Sequence, residues 1–233
     1  MFTYSKTGLY KTLKSKENSD LIIFNQPLRS HLSLTVLRDG SSSSLMSKLA
    51  AEVVCDTTYK FFLDYAEQVS FSDISACKSI PYDLHTEIKE QLENLCHKYN
   101  LPANSKSADS SLLAVLINNS KLVKKLYYIS IGPDNLWFFK NGKISMVVGN
   151  YEDRENTVFS NNCCIASGIK DLTDVQKVLF STDGMTSITY HGSKFDAILE
   201  SYIATNDFYH LEKHLNNITN IDDATLRIYS LDL

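Results

Sequence analysis

Val178-Leu-Phe-Ser-Thr-Asp-Gly-Met185 is a short apolar run that ends in an acid and a glycine. Val178, Leu179 and Phe180 read as a buried strand and Asp183 as a carboxylate held at its end. Gly184 lets backbone or a metal ion approach closely. Two further acids have comparable settings: Asp39-Gly40 follows the Leu32–Leu37 run, and Asp222-Asp223 precedes Ala224–Tyr229. Three strand-end carboxylates far apart in the chain can converge on one hard cation. Taken singly, each also reads as an ordinary Asp-Gly or Asp-Asp turn.

The chain around these turns is that of a globular protein. Its 233 residues are 43% hydrophobic and 21% charged, enough for a substantial core in one domain spanning residues 1–233. A net charge of −4 gives no electrostatic case for nucleic acid or for an anionic membrane surface. No apolar run approaches the ~18 residues of a membrane span. Met1–Lys16 carries lysines but no apolar signal core, so export is not expected. The 5 cysteines lack zinc spacing, and Cys163-Cys164 is a vicinal pair rather than CxxC. Reduced thiols and a cytoplasmic location are the expectation.

Outward from the decisive stretch, periodicity assigns most of the chain. Leu21–Phe24 and Leu32–Leu37 read as an antiparallel hairpin, the second strand alternating Leu32, Leu34 and Val36 against more polar residues. Asp20 then opens one strand and Asp39 closes its neighbour, ends that are adjacent in an antiparallel pair. Pro27 marks Gln26–Ser30 as a turn. The serines at 41–44 are placed to cap a helix over Leu45–Tyr65, whose apolar face is Met46, Leu49, Ala50, Val53, Thr57, Phe61 and Tyr65. Cys55 and Asp56 fall nearer the polar side of that helix. Pro81 opens a second helix reaching Tyr99, with Leu84, Ile88, Leu92 and Leu95 on one face.

Beyond Pro102, Ser111–Asn118, Lys125–Ile131, Asn135–Phe139 and Ile144–Val148 read as a strand meander, with Asn141-Gly142 as a hairpin turn. Trp137 belongs in a core. The stretch 150–174 is polar and irregular. Ser193–Asn206 and Phe208–Asn216 read as helices and Ala224–Leu231 as the closing strand. His210 and His214 sit one helical turn apart, but without a Glu-x-x-His context they read as a solvated face. There is neither a Gly-x-Ser-x-Gly elbow nor a cysteine nucleophile motif.

The order of these elements, with acids at these joints, resembles the protein phosphatase 2C (PPM-type) family, as a divergent, bacterial-like member. Asn18-Ser-Asp20-Leu is similar to that family's Asn-Glu-Asp-Ala segment. Leu34–Gly40 is similar to the strand leading to its Asp-Gly-x-Gly-Gly turn, and Ser110-Ser-Leu-Leu-Ala-Val to its Thr-Thr-Leu strand. Ile131–Gly142 resembles its Gly-Asp-Ser-Arg hairpin, Val178–Met185 its Ser-Asp-Gly turn, and Asp222-Asp-Ala-Thr-Leu its closing Asp-Asn/Asp-x-Thr motif.

The resemblance implies an α+β fold, a central antiparallel β-sandwich flanked on both sides by helices. It implies two Mn²⁺ or Mg²⁺ ions and hydrolysis of phosphate monoesters on serine or threonine. By carry-over Asp39 bridges both ions, the Gly40 carbonyl binds one, Asp183 and Asp222 hold the other, and Asp20 orients the attacking water. A phosphoprotein substrate, a cognate kinase and a monomeric state are further implied. Oxygen ligands of this kind suit hard cations.

Four positions depart from the family pattern. Ser19 replaces the glutamate before Asp20, and Ser15 stands where a phosphate-binding arginine is expected. Lys14 or Lys16 can supply charge there but not a guanidinium fork. Arg29 and Arg38 are the other nearby cations. Ser42 and Ser43 replace two glycines, and the hairpin aspartate aligns with Pro133, leaving Asp134 displaced by one residue. Two functions follow: a working phosphatase, or a degenerate phosphatase-like domain that binds a phosphoprotein or partner without turnover. Clustered carboxylates repel unless a cation offsets them, which favours the enzyme.

Overall fold

A computed structural model describes residues 1–6, 20–29, 31–41, 43–120, 122–149, 156–160, 163–185, 190–191, 194–218 and 223–231. Its first elements are β1 (Phe2–Lys6), β2 (Leu21–Arg29), β3 (Leu32–Arg38), α1 (Ser47–Tyr65), α2 (Ile80–Lys98), β4 (Leu112–Asn119) and β5 (Lys124–Ile131). Then come β6 (Asn135–Lys140), β7 (Lys143–Val148), β8 (Ala166–Asp171), β9 (Val175–Ser181), β10 (Tyr190–His191) and β11 (Lys194–Phe195). The chain closes with α3 (Ala197–Thr205), α4 (Phe208–Asn216) and β12 (Ala224–Ser230). This is the expected α+β class, with two antiparallel five-stranded sheets. Among the described residues no helix is long and apolar enough to cross a membrane.

The chain divides into two compact units. One comprises Ser19–Pro133 and Glu152–Thr173 and holds the sheet β2-β3-β4-β5-β8. Helices α1 and α2 cover one face of it. Leu34, Val36, Leu116 and Tyr127 of the sheet join Val54, Phe61 and Phe62 of α1 and Leu84, Ile88 and Leu92 of α2 in one apolar cluster. Each such side chain stabilises by about 1.5–3 kcal/mol on burial. In α2 Leu84, Ile88 and Leu92 are buried as the periodicity predicts, but the stripe then runs on every fourth position to Cys96 and leaves Leu95 only partly buried.

In α1 the buried face is turned from the expected one. Ala51, Val54, Cys55 and Thr58 are buried, whereas Leu49 is 37% exposed. Small side chains let α1 lie close to both β3 and α2, so Cys55 belongs to the core. Burial pushes its thiol up to about 11, against the pull of the Arg38 charge.

The other unit comprises Met1–Asn18, Asp134–Tyr151 and Asp174–Leu233, with the sheet β1-β12-β9-β6-β7. Its core gathers Trp137, Phe139, Leu179, Leu226 and Ile228 with Leu199 and Ile203 of α3 and Leu211 and Leu215 of α4. Trp137 is 1% exposed and its indole Nε1 donates to Ser181 Oγ at 3.0 Å, the core role expected of it. Asp196 caps α3 by accepting from the amides of Ile198 and Leu199, so the helix starts at Ala197 rather than Ser193. Asn206 ends it in the left-handed conformation, at φ 58°.

Four expectations are corrected, and one strand is new. Pro27 lies inside β2, not in a turn; β2 is an edge strand with register irregularities on both sides of Gln26–Pro27, where a missing amide is tolerated. The serine run does not cap α1: its N-cap is Met46, with no side-chain hydrogen bond, and Ser44 Oγ donates to the Ser41 carbonyl. The meander is not continuous, because β4–β5 and β6–β7 belong to different sheets and the chain changes sheet at 132–134. The polar stretch 150–174 contains β8, paired with β5, and the N-terminus contains β1, paired with β12.

Lys177 of β9 is 6% exposed. Its Nζ donates to the Ile203 carbonyl in the last turn of α3 and lies 5.1 Å from the Phe139 ring centroid. Burial pulls its pKa down from the ordinary 10.5. Between the lowered folded value and the unfolded one the unfolded chain binds more protons, so this group makes stability rise with pH there. The stability of the wild type relative to Lys177→Met, measured by urea unfolding, is therefore expected to increase as pH rises toward the ordinary lysine value of 10.5. A flat or falling difference contradicts the assignment.

Candidate active site

In the first-described unit, antiparallel register pairs Leu21 of β2 with Arg38 of β3. Asp20 and Asp39 therefore step off adjacent strand ends, as the hairpin reading predicts. Both are half-buried. Asp39 is held by its backbone: its amide donates to Ser111 Oγ at 2.9 Å, and its carbonyl accepts from the Ser111 amide at 2.9 Å and from Ser110 Oγ at 2.9 Å. Gly40 forms an isolated antiparallel bridge with Ser110. The Ser110-Ser111 pair at the start of β4 is thus a clamp on the Asp39-Gly40 turn, a role the sequence reading did not assign it.

Neither nearby arginine serves these acids as a phosphate grip. Arg29 lies at the far end of β2 from Asp20, with its Nε 3.3 Å from a Glu67 carboxylate oxygen. Arg38 is fully buried and alternates along β3 with Leu34 and Val36, the face covered by α1, where its charge acts on Cys55. Lys14, Ser15, Lys16, Ser19 and Ser42 lie outside the described residues.

In the other unit β9 occupies the centre of its sheet, between β12 and β6. The chain leaves it through Thr182 into a helical turn at 183–185. The Thr182 amide donates to the Thr225 carbonyl at 3.1 Å, and the Thr225 amide to Thr182 Oγ1 at 3.0 Å. This reciprocal pair ties the exit of β9 to the start of β12. Asp183 follows, 6% exposed. A Cβ on Gly184 would fall 1.8 Å from the Asp223 carbonyl oxygen, so only glycine lets the turn press against this neighbour. Asp223 is fully buried. Asp222 lies outside the described residues. Asp134 is buried at the same sheet end, since its neighbour Asn135 pairs with Ser181. Despite the one-residue displacement it enters the interior.

Each unit thus presents its own acids at a sheet end: Asp20 and Asp39 in one, Asp183, Asp223 and Asp134 in the other. Among the described residues no three His, Cys, Asp or Glu side chains form a ready-made metal cluster. The donor chemistry nevertheless fits a hard divalent cation, because every candidate is a carboxylate or a backbone carbonyl. Asp183 and Asp223 are both buried beside one turn, where Gly184 meets the Asp223 backbone. His210 makes no comparable site: its Nδ1 lies 2.8 Å from Asp207 Oδ2 and its ring stacks on Tyr202, a solvated helix face.

Comparison with known proteins bears on these ends directly. The profile of the family described as Protein phosphatase 2C matches residues 18–219. A variant of a bacterial serine phosphatase superposes with a TM-score of 0.73 at 15% identity, covering 99% of this chain and 97% of that one. The serine/threonine phosphatase Stp1 from Staphylococcus aureus gives 0.70 at 14% identity, covering 100% and 94%. The Mycobacterium tuberculosis serine/threonine phosphatase PstP/Ppp gives 0.62 at 10%, covering 100% and 98%. No curated protein sequence matches the chain. The solved structures share its fold from end to end, and the profile covers the acid-bearing joints from Asp20 to Asp183. The chain belongs to the protein phosphatase 2C family of serine/threonine phosphatases.

Proposed function

We propose that the chain is a divalent-metal-dependent phosphoprotein phosphatase that hydrolyses phosphoserine and phosphothreonine. Asp39, the Gly40 carbonyl, Asp183 and Asp222 are the metal ligands, and two Mn²⁺ or Mg²⁺ ions are the cofactors. The observation that carries the reading is the locked Asp39-Gly40 turn beside Asp20, at the adjacent ends of β2 and β3. Three hydrogen bonds to the Asp39 backbone hold in place the turn that carries this ligand.

Bound divalent ions supply Lewis acidity, neutralising charge on the phosphoryl oxygens and making water more acidic. Asp20 accepts a hydrogen bond from the attacking water and aims its lone pair at phosphorus. The water oxygen forms a bond to phosphorus as the bond to the serine or threonine oxygen breaks in line; the attacking water gives up one proton to solvent, the leaving oxygen takes one from solvent, and the products are the alcohol and hydrogen phosphate. A kinase that makes the phosphoprotein is the natural counterpart.

The second reading, phosphoprotein binding without turnover, draws on the serines at 15, 19, 42 and 43, which remove the usual phosphate grip. Para-nitrophenyl phosphate separates the two. The enzyme reading predicts Mn²⁺-dependent release of nitrophenolate that a chelator abolishes, together with a rise in Tm on adding Mn²⁺. A rise in Tm with no turnover leaves the binding module; neither response overturns the metal-centred reading.

A further inference from the structure

One buried side chain ties the segment 156–160 to the turn that carries Asp39. Asp109 is 1% exposed. Its Oδ1 accepts from the amides of Ser110 at 2.9 Å and Phe159 at 3.2 Å, and its Oδ2 from the Thr157 hydroxyl at 2.5 Å. The Asp109 carbonyl accepts from the Ser41 amide at 3.1 Å, directly after Gly40. The side chain thus grips 157–159 while the backbone grips the far side of the Asp39-Gly40 turn.

Neighbouring bonds close the unit. The Val158 amide donates to the Ser110 carbonyl at 3.2 Å, and the Val158 carbonyl lies 3.0 Å from His85 Nε2 of α2. Ser110 Oγ completes the path to the Asp39 carbonyl. Packing alone gives no reason for an acid here, since a buried carboxylate is costly unless its oxygens are hydrogen-bonded. Desolvation pushes the Asp109 pKa up and its three donors pull it back, which marks the cost and its offset.

We propose that Asp109 is a positioning residue for the reaction, fixing Asp39 and Gly40 through its bonds to Ser110, Ser41 and the 157–159 segment. The proposal rests on the reading of Asp39 and Gly40 as metal ligands. It assigns Asp109 no contact with substrate or ion. Asp109→Ala removes both acceptor oxygens and the three hydrogen bonds they accept. Asp109→Asn keeps Oδ1 for the two amides and can turn its NH₂ toward Thr157 Oγ1, which accepts.

The test is Mn²⁺ affinity by calorimetry, well below Tm, with amide exchange of the metal-free proteins measured in parallel. Asp109→Ala is expected to bind Mn²⁺ about 10–100-fold more weakly, as loss of outer support for a ligand does. Its amide exchange should rise at Gly40 and Ser41 as well as at Phe159. Asp109→Asn should return to within about threefold of wild type. Thr157→Val, which keeps the Asp109 carboxylate, removes only the hydroxyl that meets Asp109 and Ser160 Oγ and so guards against a misfolded alanine variant, should weaken binding by about fivefold. Wild-type affinity in Asp109→Ala or Thr157→Val, or exchange rising at Ser110 and Phe159 alone, overturns the proposal and leaves the metal-ligand reading standing. A wild type that binds no Mn²⁺ overturns that reading, and the proposal with it.

Discussion

Asp39→Asn is expected to fold normally and to lose Mn²⁺-dependent phosphate release by about 10²–10³-fold. The magnitude follows from the several kcal/mol a correctly held ion contributes at developing phosphoryl charge, at about 1.4 kcal/mol per tenfold. The substitution is nearly isosteric, and the bonds that hold this turn are made by the Asp39 backbone, so they survive it. What disappears is the charge and one oxygen donor. The Tm of the metal-free variant should match or slightly exceed that of the wild type, because an acid no longer repels its neighbours. Its Tm should no longer rise with Mn²⁺. Asp183→Asn is expected to behave alike from the other unit. Retained Mn²⁺-dependent turnover in both variants would remove these acids from the metal-binding set.

Gly184→Ala is expected to be severely damaging for so small a substitution, destabilising by about 3 kcal/mol or more. The added methyl would stand 1.8 Å from the Asp223 carbonyl oxygen, 2.8 Å from its carbonyl carbon and 3.3 Å from Ala224 Cα, all backbone atoms. Relief requires β12 to separate from the β9 exit, which opens the reciprocal Thr182–Thr225 pair. For a chain of this length the loss corresponds to about 10 °C in Tm. Gly142→Ala is the control. That Cβ meets open space and its cost comes from φ +77° alone, about 1–2 kcal/mol. Equal Tm losses for the two variants would show that contact with Asp223 is not what Gly184 preserves.

The acids at sheet ends were readable because local pattern carries them. Alternation of Leu32, Leu34 and Val36 defines β3 and so where it releases Asp39, and the run Val178–Phe180 does the same for Asp183. The helices α2 and α4 were equally plain, α2 from its apolar stripe, and the range read for α4, Phe208–Asn216, is the one the structure has. Elements held by distant pairing were not. β8 reads Ala-Ser-Gly-Ile-Lys-Asp, with Ile169 its one large apolar residue, and is a strand because β5 offers it an edge. β1 is likewise an edge strand made by β12. The change of sheet at 132–134 was invisible, since β5 and β6 are apolar alike and nothing local marks which sheet follows.

The same contrast holds at the site. Asp20 and Asp39 could be placed together from the hairpin alone. The Ser110-Ser111 clamp spans 71 residues in its bond to the Asp39 carbonyl, and Asp109 reaches 50 residues forward to the Phe159 amide. An acid two serines ahead of the apolar run Leu112–Ile117 was the one signal available for Asp109, and it resembles any aspartate near a strand start.

The central claim, that these sheet-end aspartates serve metal-dependent removal of phosphate from proteins, is tested most directly on a phosphothreonyl peptide. Phosphate release by the wild-type protein is measured across a Mn²⁺ titration after the protein has been stripped of metal. Saturable, Mn²⁺-dependent release that a chelator abolishes and Asp39→Asn lacks is the predicted result. A folded wild type that releases no phosphate at any Mn²⁺ concentration would contradict it.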